Sequence, residues 1–465
     1  MLWLKQYPWF TLLFALYSPM ALIAFNVGQV PFSAVIRSAL IILVSVFILT
    51  SLMILLVGDA PRAGLIVSLA LALFFSYGHV YELIAKADIG GFLVGRHRFL
   101  ILLYLGILFG AVIWVVRRKR SFARWSSALM TIAMVLLIFP VYQLIAYEIK
   151  LRSTGSVTSS DISQVIQYFS DQKLPDVYYI ILDTYGRTDV LKKYTGYDNT
   201  PFIETLQKLG FYVATCSQSN YSQTGLSLAS SLNFRYLDQL GLTFSDKETK
   251  REDAEAPFIK HNAVVDYMRS MGYRIIAFET GYEFSTLDDS DTLYPTQKSG
   301  ISDFELVLLR STALVLLDEA GMIDGIHPTS AQNRRNTILY QLKTLKNLPA
   351  DPGPKFVFAH LLIPHWPFIF GPNGESLLGS DFVETARGVS DQEYFEGYRG
   401  QTIFTSNQIL DVVSEIIQKS DVPPIIVLQG DHGPAHAGVE ARMAILNAYY
   451  FPGGRQLHSM RILRQ

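Results

Sequence analysis

Near the end of the chain the run Pro424-Ile425-Ile426-Val427-Leu428-Gln429-Gly430 stops on Asp431, His432 and Gly433. An Asp beside a His offers one hard oxygen and one borderline nitrogen, a pair suited to Zn²⁺ or Mn²⁺. A second apolar run, Val177 to Leu182, ends on another carboxylate, Asp183. Thr224 follows Asn220-Tyr221-Ser222-Gln223 and opens a short stretch of small and apolar residues that reads as a helix. Free N–H groups and the dipole at a helix start favour an anion such as a phosphoryl oxygen, and a hydroxyl placed there can act as a nucleophile once a cation lowers its pKa. The alternative reading of Thr224 is a helix N-cap. His360 and His365 leave a third apolar run, in Ala359-His360-Leu361-Leu362-Ile363-Pro364-His365-Trp366-Pro367. Two imidazoles there suit general acid work or contact with an anion, and the alternative is a structural role, as for His261, His327 and His436. No P-loop, GxSxG elbow or HExxH helix accompanies them.

The elements that must position these groups are buried strands, since short apolar runs bounded by turn residues suit a central parallel sheet. Gly430 and Gly433 are expected to let the chain turn at the end of one of them. Between the strands the pattern predicts a helix from Thr200-Pro201 to Gly210 with Thr200 as its cap, a strand over 211–216 and a short helix over 225–233. It continues with a helix over 262–271, a strand over 273–278, and helices over 302–320 and 329–347. A strand over 355–362, a helix over 390–419 and a strand over 444–451 follow. Strands alternating with helices of this length imply a doubly wound, mostly parallel α/β fold. Such sheets carry their chemistry at the carboxyl ends of the strands.

Ahead of this domain the composition changes. Residues 1–150 hold 12 Lys and Arg against 4 Asp and Glu, whereas the remainder holds 27 against 36. An acidic second part disfavours nucleic acid as a partner, and a single cysteine, Cys216, excludes an intrachain disulfide. Uncharged intervals of about membrane length run from Gln6 to Ile36, Ser38 to Gly58, Ala63 to Tyr81, Phe99 to Val116 and Trp125 to Tyr147, and predict five transmembrane helices. The basic cluster Arg117, Arg118, Lys119, Arg120 and Arg124 should stay cytoplasmic, which sends the chain after Lys150 outside. Lys86, Arg96 and Arg98 oppose that orientation. His79 and Glu82, near the end of the third interval, read as interfacial residues or as a polar pair within the bundle. The domain plan is therefore a transmembrane part over 1–150, a polar linker over 151–174 and an extracytoplasmic domain over 175–465.

Asp183 closing the first strand, Thr224 at a helix start, the His360 and His365 pair and Asp431-His432-Gly433 closing a late strand together resemble the alkaline phosphatase superfamily in its sulfatase-like branch. The resemblance covers roughly 175–452. The preceding spans resemble the layout of lipoteichoic acid synthases and lipid A phosphoethanolamine transferases. The resemblance implies one divalent metal, Zn or Mn, held by Asp183, Thr224, Asp431 and His432, with Thr224 also the nucleophile. His365, with His360, would contact the phosphoryl group or protonate the leaving group. Three departures stand out. Cys216-Ser217-Gln218-Ser219-Asn220 is not the motif matured to formylglycine in sulfatases. Asp183 is followed by Thr184 where sulfatases carry a second acid, which thins the metal shell. The chain stops 13 residues after Pro452, and is expected to leave its last strand as an exposed edge.

These readings combine into a multi-pass protein of the cytoplasmic membrane whose outward domain takes a phospho-headgroup, such as phosphoglycerol or phosphoethanolamine, from a membrane lipid. It passes that group through Thr224 to a glycan, a lipid or water. The alternatives are a hydrolase of sulfate or phosphate esters on surface glycans and a membrane assembly protein that keeps the fold without the catalysis.

Overall fold

The computed structural model describes residues 7–28, 30–85, 88–89, 92–93, 96–118, 122–153, 174–242, 251–297, 301–320, 322, 330–378 and 390–451. Most of the expected linker, over 154–173, and the chain after Phe451 lie outside the described residues. The chain divides into two compact units, residues 1–149 with 299–328, and residues 150–298 with 329–465.

Among the described residues of the first unit four helices are long and apolar enough to cross a membrane, α2 (Ser33–Val57), α3 (Ala60–Ile84), α4 (His97–Arg117) and α5 (Ala123–Ser153), not the five expected. The first apolar interval forms a shorter helix, α1 (Phe10–Phe25), of 16 residues. That is about 24 Å at ~1.5 Å per residue, against a hydrocarbon core of ~30 Å. Asn26 ends it, with its side-chain amide donating to Leu22 O at 2.8 Å, and Gly28 follows at φ 84. Inside the bundle Ala15 meets Val46, Val67 and Leu71, while Leu40, Ile48, Leu55, Leu102 and Phe109 face outward. Helices apolar all round are those whose exterior meets lipid.

The helix expected over 302–320 belongs to this unit and is two helices, Asp303–Ser311 and Val315–Glu319. Thr312 separates them. Its backbone is extended and its hydroxyl accepts from Leu314 N at 3.1 Å, so a side chain serves the backbone at the break. Phe304 and Leu308 pack with Ile23 and Val35, and Val315 packs with Tyr77 and Leu100. Arg37 Nε donates to Glu305 at 2.6 Å, His97 Nε2 lies 2.7 Å from Glu319 Oε2, and Ala313 N donates to Phe74 O at 2.9 Å.

The second unit runs β1 (Val177–Leu182), α6 (Thr188–Thr195), α7 (Thr200–Lys208), β2 (Tyr212–Val213), α8 (Thr224–Ser231), α9 (Arg251–Lys260), α10 (Ala263–Ser270), β3 (Arg274–Phe278), β4 (Thr292–Tyr294), α11 (Ser330–Leu345), β5 (Lys355–Leu361), α12 (Asp391–Lys419), β6 (Ile425–Gly430) and β7 (Asn447–Tyr450). The strands form a 7-stranded sheet ordered β2-β7-β6-β1-β5-β3-β4, parallel from β6 to β4. β7 runs antiparallel to both β6 and β2. It is therefore covered by β2 and is not the exposed edge expected of it. Alternation along the strands divides the core. Tyr178, Ile180 and Leu182 of β1 join Leu206, Leu342 and Val412 on one face, and Val177 and Ile181 join Leu228, Ile259 and Val265 on the other. Helices cover both faces, which is the doubly wound arrangement read from the sequence. Thr200 is not a cap: Asn199 occupies that position, and Asp198 accepts from Thr200 N at 3.1 Å.

Candidate metal centre and nucleophile

β1, β5 and β6 are adjacent and in register, with Ile181 opposite both His360 and Gln429. Because the strands are parallel, their carboxyl ends come together, and the residues at or just beyond them converge. Asp183, His360 and Asp431 each offer a ligand atom, and these atoms lie within 4.8 Å of one another. His432 Nε2 is 3.8 Å from Asp183 Oδ1 and 3.7 Å from Asp431 Oδ2, and His360 Nε2 is 3.6 Å from Asp183 Oδ2. Asp183, His360, Asp431 and His432 are all buried.

Burying two carboxylates without satisfying them is costly. Part of the need is met locally, since Asp431 Oδ1 accepts from Thr184 N at 2.9 Å and from His432 N at 2.8 Å. The rest is not. Asp183 Oδ1, Asp431 Oδ2 and both ring nitrogens of His360 are buried and make no hydrogen bond. A cluster of orphaned oxygen and nitrogen atoms that point together fits a divalent cation, and a mixed set of carboxylate and imidazole donors suits Zn²⁺ or Mn²⁺. His432 supports this in its tautomer. Nδ1 donates to Gly433 O at 2.8 Å, leaving the lone pair on Nε2.

Close backbone approach explains the glycines of this turn. A Cβ at Gly430 would lie 2.4 Å from Tyr185 O, and one at Gly433 2.5 Å from Ala441 O. Thr184, between the Asp183 turn and Tyr185, has φ 69, an unfavourable backbone for a β-branched residue. It is held there by the Asp431 contact and by Tyr398, whose hydroxyl donates to Thr184 O at 2.7 Å.

Thr224 is the first residue of α8, and the cap position belongs to Gln223, so Thr224 is not the N-cap of the alternative reading. Its Oγ1 lies 3.3 Å from His432 Nε2, at the edge of the cluster. His360 stands apart from its sequence reading. It lies within β5 and faces Asp183 and Asp431, placing it with the candidate ligands, while His365 lies beyond the strand among bonds from α11 and α12. Arg334 of α11 donates to Leu362 O at 2.6 Å and Trp366 O at 3.0 Å, and Gln401 of α12 donates to His365 O at 2.9 Å. His365 Nδ1 is engaged by Trp366 O.

Charge is distributed accordingly. Burial alone would raise the Asp183 carboxyl, but the pull of His365, His360 and His432 outweighs it and holds the group well below the usual carboxylate range. Burial pushes the His365 imidazole down, against the attraction of Asp183. Burial also lowers the Arg334 guanidinium, which Asp183 opposes. Arg334 was not legible as a site residue, because an arginine inside an amphipathic helix carries no spacing signal. His261 and His436 are not part of the cluster. His261 faces Asp289 at 3.9 Å, and His436 Nδ1 bonds Asp391 at 2.7 Å while its ring stacks on Tyr394. His327 lies outside the described residues.

A search of curated proteins finds no match. Among solved structures, the chain is similar to the C-terminal periplasmic domain of EcEptC from Escherichia coli in complex with Zn, at 14% identity over 62% of this chain and 76% of that one, with a TM-score of 0.41. It is similar to the soluble domain of lipooligosaccharide phosphoethanolamine transferase A from Neisseria meningitidis, at 11% identity over 62% and 80%, TM-score 0.38. It is likewise similar to the lipoteichoic acid synthase LtaP from Listeria monocytogenes, at 13% identity over 65% and 71%, TM-score 0.38. The sulfatase family model matches residues 175–461, a span that contains every residue of the cluster, and the chain belongs to that family.

Proposed function

We propose that this protein transfers a phospho-headgroup from a membrane lipid to an acceptor hydroxyl at the outer face of the cytoplasmic membrane, with Thr224 as the group that carries it. The observation that supports this reading is the convergence of Asp183, His360 and Asp431, whose buried ligand atoms are unsatisfied, with His432 beside them and the Thr224 hydroxyl 3.3 Å from its Nε2. Asp183, Asp431, His432 and Thr224, with His360, would hold one divalent ion. Such an ion supplies positive charge that lowers the pKa of a hydroxyl and neutralises a phosphoryl oxygen.

The chain's own residues do the rest. The first turn of α8, whose cap residue Gln223 makes no side-chain bond to it, would offer N–H groups beside Thr224 to a phosphoryl oxygen. Thr224, its hydroxyl proton already given up to solvent, bonds through Oγ1 to phosphorus as the bond to the lipid oxygen breaks, and His365 in its protonated form gives that oxygen its proton. In the second half the acceptor hydroxyl gives its proton to His365, left neutral by the first half, as its oxygen bonds to phosphorus and the bond to Thr224 Oγ1 breaks. Arg334 positions the His365 segment through its bonds to Leu362 O and Trp366 O.

Cys216 is exposed, lies eight positions before Thr224, and stands in Cys216-Ser217-Gln218-Ser219-Asn220 outside the formylglycine motif, which disfavours a formylglycine route to sulfate esters. The test is the intact mass of the full chain after incubation with Mn²⁺ or Zn²⁺ and a phospholipid. A mass increase of one phospho-headgroup, mapped to Thr224 and absent from Thr224→Ala, is the expected result. Turnover by Thr224→Ala at the unmodified rate would overturn the assignment.

A further inference from the structure

The first unit contains an open hollow of about 990 Å³, walled by α1, α3, α4 and α5, with Val307 and Ser311 of the 303–311 helix also in its lining. Its lining repeats at helical spacing, with Leu65, Leu69, Ala72 and Ser76 on α3. Leu108, Ala111 and Val115 repeat in the same way on α4. Small residues on facing membrane helices ordinarily let backbones come together. Here Ala21, Ala72 and Ala111 line open space instead, and an apolar hollow of this size among helices of membrane length calls for an apolar occupant.

The dimensions identify the occupant. From Leu65 to His79 along α3 the lining advances about 21 Å at ~1.5 Å per residue, most of the ~30 Å depth of a bilayer's hydrocarbon. A channel of that length and volume averages roughly 8 Å across, the width of two alkyl chains touching at about 4 Å between carbons. Ser76, His79 and Ser311 line one end of the wall, Ser18 and Ser68 lie further along it, and Trp114 and Trp125 line the other end. The His79 and Glu82 that stand out in the sequence form no ion pair with each other. His79 instead lines the hollow. We infer that the first unit binds a two-chain membrane glycerophospholipid, its acyl chains lying in the hollow and its polar group at the Ser76, His79 and Ser311 end.

This site is independent of the phosphotransfer reading, because no residue of the metal cluster lines it. The full chain in nanodiscs of phospholipid doped with a phospholipid carrying a photoreactive group on one acyl chain supplies the test. Crosslinks are expected at Leu108, Ala111 and Ala72 at least tenfold above those at Leu55 and Leu102 on the outward faces, and unchanged in Thr224→Ala. Ala111→Trp, checked by thermal unfolding, should remove them. Uniform labelling of hollow and outward faces in the unsubstituted chain overturns the inference even if the tryptophan variant fails to fold. Undiminished labelling in a folded Ala111→Trp does the same, as does recovery of a polyprenyl lipid in place of a glycerophospholipid by native mass spectrometry.

Discussion

The two ends of the central sheet bury charge in opposite ways. At the amino ends Lys355, 1% exposed, opens β5 and meets Asp176, which precedes β1, at 2.6 Å. The ammonium also donates to Asp351 O at 2.9 Å, and Asp176 Oδ1 accepts from Lys355 N at 3.2 Å. Every charge there has its partner within the chain. At the carboxyl ends of the same strands, Asp183 and Asp431 keep buried oxygens with no hydrogen bond and His360 keeps two buried nitrogens without one. One end is electrostatically closed and the other is incomplete. Burial of ionisable groups alone therefore does not mark a functional site. What marks it is burial together with polar atoms that the fold leaves unsatisfied.

The comparison breaks most sharply at Asp431. Asp431→Asn keeps shape but removes charge from the incomplete end, so metal content, measured by mass spectrometry of dialysed protein, should fall at least tenfold, and turnover by ~10³ or more. Retained metal would show that the unsatisfied atoms do not form a cation site. At the closed end Lys355→Met leaves Asp176 buried without its ion, and equilibrium denaturation should show a loss of about 3–5 kcal/mol with the metal content of the folded fraction unchanged. A smaller effect is expected of Arg334→Lys, which loses the planar fork that holds Leu362 O and Trp366 O. Turnover should drop roughly tenfold to a hundredfold with metal content intact. The smallest effect sharpens the contrast. The double substitution Lys355→Met with Asp176→Leu removes both charges and should be within about 1 kcal/mol of the parent in the same denaturation assay, since a closed pair can be replaced by apolar packing. No substitution of Asp183 and Asp431 together should preserve activity in that way.

Much of the incomplete end was legible because strand ends announce themselves. Asp183 and Asp431 each follow an uninterrupted apolar run, and a parallel sheet has to bring such ends together. Thr224 was legible from the change of residue type at a helix start. His360 was harder to place, since the sequence shows it leaving a strand, whereas the register puts it opposite Ile181 within the sheet and in reach of both carboxylates. Arg334 gave no signal, because its bonds go to backbone carbonyls some thirty positions away, which no local pattern encodes. The 303–311 helix was legible as a helix but not as a membrane partner. An amphipathic stripe states that a face must be covered and is silent about what covers it. The first apolar interval misled for a related reason: a run without charges sets an upper limit on a helix, and Asn26 and Gly28 shorten it inside that limit.

The excursion of residues 299–328 into the first unit has a practical consequence for handling the molecule. The catalytic half is joined to the membrane half by three passages of chain, near Lys150, near residue 299 and near residue 328, not by one. Proteolysis within the segment after Ser153 would therefore cut the polypeptide without releasing the sulfatase-like part from the bilayer. A fragment started at Pro175 would carry Phe304, Leu308 and Val315 without Ile23, Val35, Tyr77 and Leu100, the residues that cover them. Such a fragment should need detergent for solubility, even though among its described residues no helix is both long and apolar enough to span a membrane.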